Sequence, residues 1–226
     1  MNFDRSWEEI YKAGRFQRYP WDSVVSFVFR YAPRDVPRES VRILEVGCGA
    51  AANLWFAARE GFSVTGLEGS KSAISYAKQR FKEDGLTGDL HVGDFTQLPY
   101  DNEIFDLVID RGALTCVNDS AMNSAISEIY RVMKPNAVFH FNPYADSHSG
   151  LLEGVARSDG LTEIPVGAKS ANPGLINFVS RKRLDQLFGP VQWEIISIQR
   201  REDTEMSNQM QQIHAEWLLL ARKRIS

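Results

Sequence analysis

At 226 residues, with 43% hydrophobic and 24% charged side chains, the chain suits one soluble globular domain with a full core. No apolar run approaches the roughly 20 residues that span a bilayer; the N-terminus MNFDRSWEEIYK is acidic and amphipathic, so neither a secretory signal nor membrane contact is expected, and the default location is cytoplasmic. A net charge of −3 with dispersed basic residues argues against a nucleic-acid partner, and Cys48 and Cys116, without CxxC or Cys/His spacing, argue against a disulfide or a metal site.

Apolar residues at Phe3, Trp7, Ile10 and Tyr11 predict an amphipathic helix over 3–12, ended by Gly14. After Phe16, Arg18, Tyr19, Pro20 and Trp21, a second helix is predicted over 22–31 with Asp22 as its N-cap. This N-terminal part either covers a sheet edge or closes over a ligand, and in the second case Arg18 and Tyr19 are its residues of interest. Residues 33–40 form a linker.

The stretch Val41 to Asn53, VRILEVGCGAAAN, reads as a buried strand, a tight turn at Gly47-Cys48-Gly49 and a helix over 50–60 stopped by Gly61. Glycines are expected at such a turn because a side chain would forbid positive φ and hold a ligand away from the backbone. The helix start offers unpaired N–H groups above the turn. Gly47-x-Gly49-x-x-Ala52 also fits the dinucleotide fingerprint in its Gly/Ala form, with Glu68 at about the right distance for a ribose. Glu45 discriminates between the two: a carboxylate beside the turn repels a pyrophosphate and suits a ligand with an ammonium group. S-adenosylmethionine has such a group and no phosphate.

A strand over 62–67 ends in Glu68-Gly69-Ser70, where the carboxylate either accepts from both hydroxyls of a ribose or caps the next helix. That helix, 70–84, carries Ile74, Ala77 and Phe81 on one face. A short strand, 88–92, leads to Gly93-Asp94-Phe95, where the aspartate either binds a ligand or serves as a turn residue before a loop. Phe105 to Ile109 is a central strand, and Asp110-Arg111-Gly112 follow at its carboxyl end, where open α/β sheets bind ligands. Arg111 either pairs with Asp110 or holds an acidic acceptor through its planar fork. A helix over 120–133 stops at Lys134-Pro135-Asn136, and a fifth strand occupies 137–141.

With these motifs in register, the chain resembles the class I S-adenosylmethionine-dependent methyltransferases, small-molecule type, chiefly over 41–141. The resemblance implies a Rossmann-like α/β fold: a seven-stranded, mostly parallel sheet with helices on both faces and an antiparallel C-terminal strand pair. It implies a cofactor site for S-adenosyl-L-methionine built from Glu45, Gly47, Cys48, Gly49, Asn53, Glu68, Gly69, Ser70, Asp94, Phe95, Asp110 and Arg111, with Asp94 accepting from the adenine amino group. Two departures are visible. Ala51 stands where the family often has a third glycine, and alanine there fits a negative φ; Asn136-Ala137 replaces the usual glycine after the turn, where asparagine tolerates a positive φ.

Periodicity fails over 142–178, a segment rich in glycine and proline up to Pro173 and Gly174. A loop-rich stretch of this length is usually functional, and it is expected to recognise the acceptor. His148 within it is a candidate base, or a solvated loop histidine. Together with Arg111 it makes the candidate catalytic pair. Ser180 caps a last helix, 180–187, and two strands, 191–200 and 213–223, flank a polar hairpin at 201–212. His214 and Trp217 enter the final strand in core or pocket roles. The organisation is thus one domain: helical cover 1–40, cofactor core 41–141, recognition insertion 142–178, and C-terminal helix and strand pair 179–226. The expected activity is methyl transfer to a small-molecule acceptor, with a homodimer compatible. An NAD(P)-dependent oxidoreductase and a non-catalytic S-adenosylmethionine-binding protein stay open as alternatives.

Overall fold

The computed structural model describes residues 5–168, 174–207 and 212–225. Phe3, Pro173 and the centre of the C-terminal hairpin, 208–211, lie outside them. The elements that carry the sheet are β1 (Arg42–Val46), β2 (Ser63–Glu68), β3 (Asp89–Val92), β4 (Phe105–Asp110) and β5 (Met133–Phe141). The helices between them are α1 (Arg5–Lys12), α2 (Asp22–Tyr31), α3 (Ala52–Arg59), α4 (Lys71–Glu83) and α5 (Asp119–Val132). Beyond these come α6 (Gly150–Glu153), a small antiparallel sheet of β6 (Val155–Ala156), β7 (Thr162–Ile164) and β8 (Gly174–Ile176), then α7 (Arg181–Leu187), β9 (Trp193–Glu205) and β10 (Gln212–Lys223).

The main sheet has seven strands in the order β3-β2-β1-β4-β5-β10-β9. Strands β1 to β5 are parallel, and β10 inserts antiparallel between β5 and β9. This is the expected mostly parallel sheet with an antiparallel terminal pair. Because side chains alternate along a strand, β1 sends Ile43 to one face and Leu44 to the other. One face packs Val24, Phe27, Leu54, Ala57, Ile74 and Phe81 from α2, α3 and α4. The opposite face packs Met122, Ile126, Ile129, Leu184 and Leu187 from α5 and α7. No helix among the described residues is long and apolar enough to cross a membrane.

Four expectations are corrected. Asp22 is the first helical residue of α2 rather than its cap; Trp21 holds the cap position without a side-chain bond, and Asp22 still suits the positive end of the helix. Helix α3 begins two residues later than predicted, because Ala51 adopts φ 56° and closes the turn by donating its N–H to the Cys48 carbonyl at 2.8 Å. A left-handed alanine costs about 1 kcal/mol, and the fully buried methyl offsets part of that. The insertion 142–178 is not without structure, since β6, β7 and β8 pair within it. Finally, β5 starts at Met133, earlier than the turn residues suggest, with Asn136 at the anticipated positive φ of 65°.

Candidate functional site

The carboxyl ends of β1, β2 and β4 open onto one cavity. It is lined by Gly47, Glu68, Gly69, Asp94, Phe95, Arg111 and Cys116 among others, and Trp7 and Tyr11 of α1 close it. Six of the predicted cofactor residues therefore share one wall system. Glu45, Cys48, Gly49, Asn53, Ser70 and Asp110 are not part of the lining; they stand around it and hold its shape.

The turn after β1 is left-handed at Gly47 (φ 63°) and Gly49 (φ 53°). A Cβ on Gly47 would fall 2.1 Å from the Ala113 methyl, and one on Gly49 would fall 2.5 Å from the Tyr11 hydroxyl. The backbone here is thus approached by the protein's own cover and loop. Cys48 turns its sulfur toward Gly66 of β2 and into the core, so only its backbone belongs to the turn.

Glu45 is 3% exposed. Its Oε1 accepts from Asn53 Nδ2 at 2.6 Å, and Asn53 Oδ1 accepts in turn from the Trp21 N–H at 3.0 Å. Its Oε2 is buried with no hydrogen-bond partner among the described residues. Burial, partly countered by Asn53, pushes the carboxyl up to about 8. Asp110, fully buried, accepts from the Ala113 and Leu114 N–H groups through Oδ1, each at 2.9 Å, and so fixes the loop that lies against Gly47. Its Oδ2 likewise makes no hydrogen bond among the described residues, and burial, partly countered by the backbone donors, pushes the Asp110 carboxyl up to about 6.

Glu68 accepts from the Gly49 N–H and the Ser70 N–H, both at 2.9 Å, which ties the two cofactor turns together. Burial raises its pKa and those backbone donors lower it again, with the rise prevailing. The capping alternative is therefore realised at Ser70 N–H, while the hydroxyl of Ser70 is the actual N-cap of α4. Asp94 accepts from the N–H and hydroxyl of Thr96 at 2.9 and 2.7 Å, an arrangement that orders the loop after β3.

Arg111 does not pair with Asp110. Its Nη2 lies 3.1 Å from Glu216 Oε2 on β10, both side chains being nearly buried, and the guanidinium carbon sits 3.9 Å from the centre of the Trp21 ring. The Nε–H is buried without a hydrogen-bond partner among the described residues. His148, 1% exposed, is not a solvated loop histidine, nor does it line the cavity. Its Nδ1 accepts from the Gly150 N–H at 3.0 Å, and its Nε2 lies 3.1 Å from His214 Nδ1. Burial first, and His214 second, push it down to about 4.

In the N-terminal cover, Arg18 and Tyr19 face a separate surface groove beside Tyr76 and Arg80, with Tyr19 largely exposed. The cavity residues of the cover are Trp7 and Tyr11 instead, four apart on α1 and hence on one face. Glu8 anchors that helix, accepting from the hydroxyls of Ser70 (2.5 Å) and Ser72 (2.7 Å) at the start of α4. The sequence gives the Trp7/Tyr11 spacing but no sign of Glu216.

A family profile described as a methyltransferase domain matches residues 43–136. Over 107 residues the chain is 34% identical to the phthiotriol/phenolphthiotriol dimycocerosates methyltransferase of Mycobacterium tuberculosis, covering 46% of this chain and 37% of that one. Over 132 residues it is 30% identical to 24-methylenesterol C-methyltransferase 3 of Arabidopsis thaliana, covering 53% and 36%. The chain thus spans about half, or less, of the length of the curated relatives it matches. Among solved structures, a SAM-dependent methyltransferase from Methanosarcina mazei superposes with a TM-score of 0.72 at 20% identity, over 88% of this chain and 98% of that one. The 1,6-didemethyltoxoflavin-N1-methyltransferase of Burkholderia thailandensis, solved with bound 1,6-didemethyltoxoflavin and S-adenosylhomocysteine, gives 0.68 at 14% identity over 97% and 86%.

Proposed function

We propose that this chain is a class I S-adenosylmethionine-dependent methyltransferase and transfers a methyl group from S-adenosyl-L-methionine to a small-molecule acceptor; the methyltransferase-domain match over residues 43–136 and the shared fold support this reading. The observation that carries this reading is the unpartnered buried oxygen of Glu45 behind the Gly47–Gly49 turn, joined by that of Asp110. A buried carboxyl without a donor fits a ligand that brings an ammonium, which favours its ionised form, whereas a diphosphate opposes that ionisation. The nicotinamide alternative loses its ground at that point.

In this reading, Glu45 and the turn hold the amino-acid end of the donor, Glu68 and Gly69 its ribose, and Asp94 and Phe95 its adenine. The remaining lone pairs of Glu68 are available to hydroxyls after its two backbone bonds. When bound, the donor would supply an electrophilic methyl on a sulfonium: the acceptor's nucleophilic atom would bond to that carbon in line as the S–CH3 bond breaks, with the neutral thioether S-adenosylhomocysteine as the leaving group. The protein's part is to bring the two into register and exclude water, which Trp7 and Tyr11 do from above and the loop after β4 does from the side. Arg111 stands at the acceptor end. His148 acts on the reaction only through groups lying between it and the cavity.

The acceptor is proposed to be small because the cavity is closed by α1, and because the relatives named above carry sterol, lipid or heteroaromatic acceptors in their names. The test is calorimetry with S-adenosylhomocysteine and with NADH, followed by labelled methyl donor in cell extract separated by size. Binding of the former with label in the low-mass fraction is expected. Binding of NADH alone, or label only in macromolecules, overturns the proposal.

A further inference from the structure

Behind Arg111 lies a chain of polar groups that the methyl-transfer chemistry does not require. His214 and Glu216 are two residues apart on β10 and so point to the same face of the sheet. His214 Nε2 is 3.8 Å from Glu216 Oε2, the oxygen that also meets Arg111. His214 Nδ1 meets His148 Nε2, and His148 packs against Tyr144, stacked at 5.0 Å, and against Phe178 at 5.3 Å.

The hydrogen positions in this chain are dictated by one backbone group. The Gly150 N–H donates to His148 Nδ1, so that nitrogen carries no proton and the ring's proton is on Nε2. His148 Nε2–H therefore donates to His214 Nδ1, which places the His214 proton on Nε2, facing Glu216. Both rings thus turn their N–H in one direction, from the insertion toward Glu216; the last step, at 3.8 Å, is an electrostatic contact and not a hydrogen bond, and the carboxylate is left ionised against the guanidinium. Burial opposes that ionisation, and His214 and Arg111 together outweigh it.

We propose that Glu216, oriented by His214 and His148, is the positioning residue for Arg111, and that the guanidinium so held offers its unpartnered Nε–H to a hydrogen-bond-accepting oxygen or nitrogen of the methyl acceptor. Trp21 covers one face of the guanidinium and Glu216 takes one edge, which leaves Arg111 few orientations. A buried N–H with no protein partner beside a cavity is costly unless a ligand satisfies it. This inference rests on the methyltransferase reading for the identity of the ligand, but the relay itself does not.

The test uses the full chain and three readouts on the wild type, Glu216→Gln and His148→Phe. Nitrogen-15 NMR is expected to show His148 and His214 each protonated on Nε2 alone, and Glu216→Gln to shift the Arg111 Nε–H signal and speed its exchange with water about tenfold. S-adenosylhomocysteine affinity is expected to stay within about twofold of wild type, while KM for the low-mass acceptor fraction rises about tenfold with kcat changed less than about threefold. His148→Phe should raise that KM to a smaller extent. An unmoved Arg111 signal, a different tautomer on His148, or an unchanged KM with lost S-adenosylhomocysteine binding overturns the proposal. If the wild type binds no S-adenosylhomocysteine, the functional reading fails instead, and the NMR arm still decides the relay.

Discussion

Binding of an ammonium-bearing ligand should expel a proton from Glu45. The carboxyl is buried, holds one donor from Asn53, and is raised from 4.5 to about 8. At pH 7 it lies about one unit below its pKa, so about nine-tenths of the molecules carry the proton. An ammonium placed against the unpartnered Oε2 favours the ionised form and should release about 0.9 proton per ligand bound. Calorimetry of S-adenosylhomocysteine binding at pH 7, in buffers of different ionisation enthalpy, reads that number directly. At pH 8.5 only about 0.2 of the sites still hold the proton, and the release should shrink to match. Glu45→Gln, which keeps the shape and cannot ionise, should bind more weakly and release close to none. A wild-type release near zero at pH 7, or one that does not change with pH, refutes the argument that this carboxyl is kept neutral for a cation. In the free protein the sign is that of a raised pKa: the group's contribution to stability is complete below 4.5 and is lost as pH rises through about 8.

His140 gives the opposite slope. Fully buried on β5 beside Phe27, it is pushed down by burial to about 4, so stability is complete above pH 6.5 and falls by up to about 3 kcal/mol as pH drops toward 4; urea titrations of wild type against His140→Gln isolate that slope from the carboxyls. Gly47→Ala should abolish S-adenosylhomocysteine binding and lower Tm, since its Cβ would lie 2.1 Å from Ala113 at φ 63°; retained affinity would show that the loop after β4 yields freely. Glu8→Ala should speed hydrogen exchange over 5–12 and weaken S-adenosylhomocysteine while leaving the core's exchange unchanged; unaltered exchange in α1 would mean the hydroxyl contacts with α4 do not hold the cover.

The cofactor side of the molecule is legible in the sequence because its determinants are local. Strand, glycine turn and helix start lie within a dozen residues of one another, Glu68 ends the largely apolar β2, and Asp94 stands in a Gly-Asp-Phe turn two residues beyond the short β3. The acceptor side is assembled from far-apart segments. Arg111 follows β4, Trp21 precedes α2, and Glu216 sits in a strand whose alternation shows only which residues share a face. Nothing in the spacing of β10 says that it lies beside β5, so Glu216 is not legible as the partner of Arg111, and sequence adjacency offers only Asp110 beside the alternative of an acidic acceptor. Ala51 shows a different limit: alanine's preference for negative φ is about 1 kcal/mol, small against a turn fixed by the Cys48 carbonyl and a buried methyl.

The reason the two glycines are needed also changes once the fold is known. A side chain on Gly47 or Gly49 would first strike Ala113 or Tyr11, not a ligand. Ala113 belongs to the loop that Asp110 pins, and Tyr11 to the helix that Glu8 anchors on α4. The turn is therefore the place where the cover, the first strand and the loop after β4 close on one another, and a ligand that draws the turn into order draws all three. Such a ligand gains affinity from packing already present in the protein, so weakening α1 should lower affinity for the donor even though Glu8 itself lies outside the cavity lining. That coupling separates a cover that takes part in binding from a helix that merely shields a sheet edge.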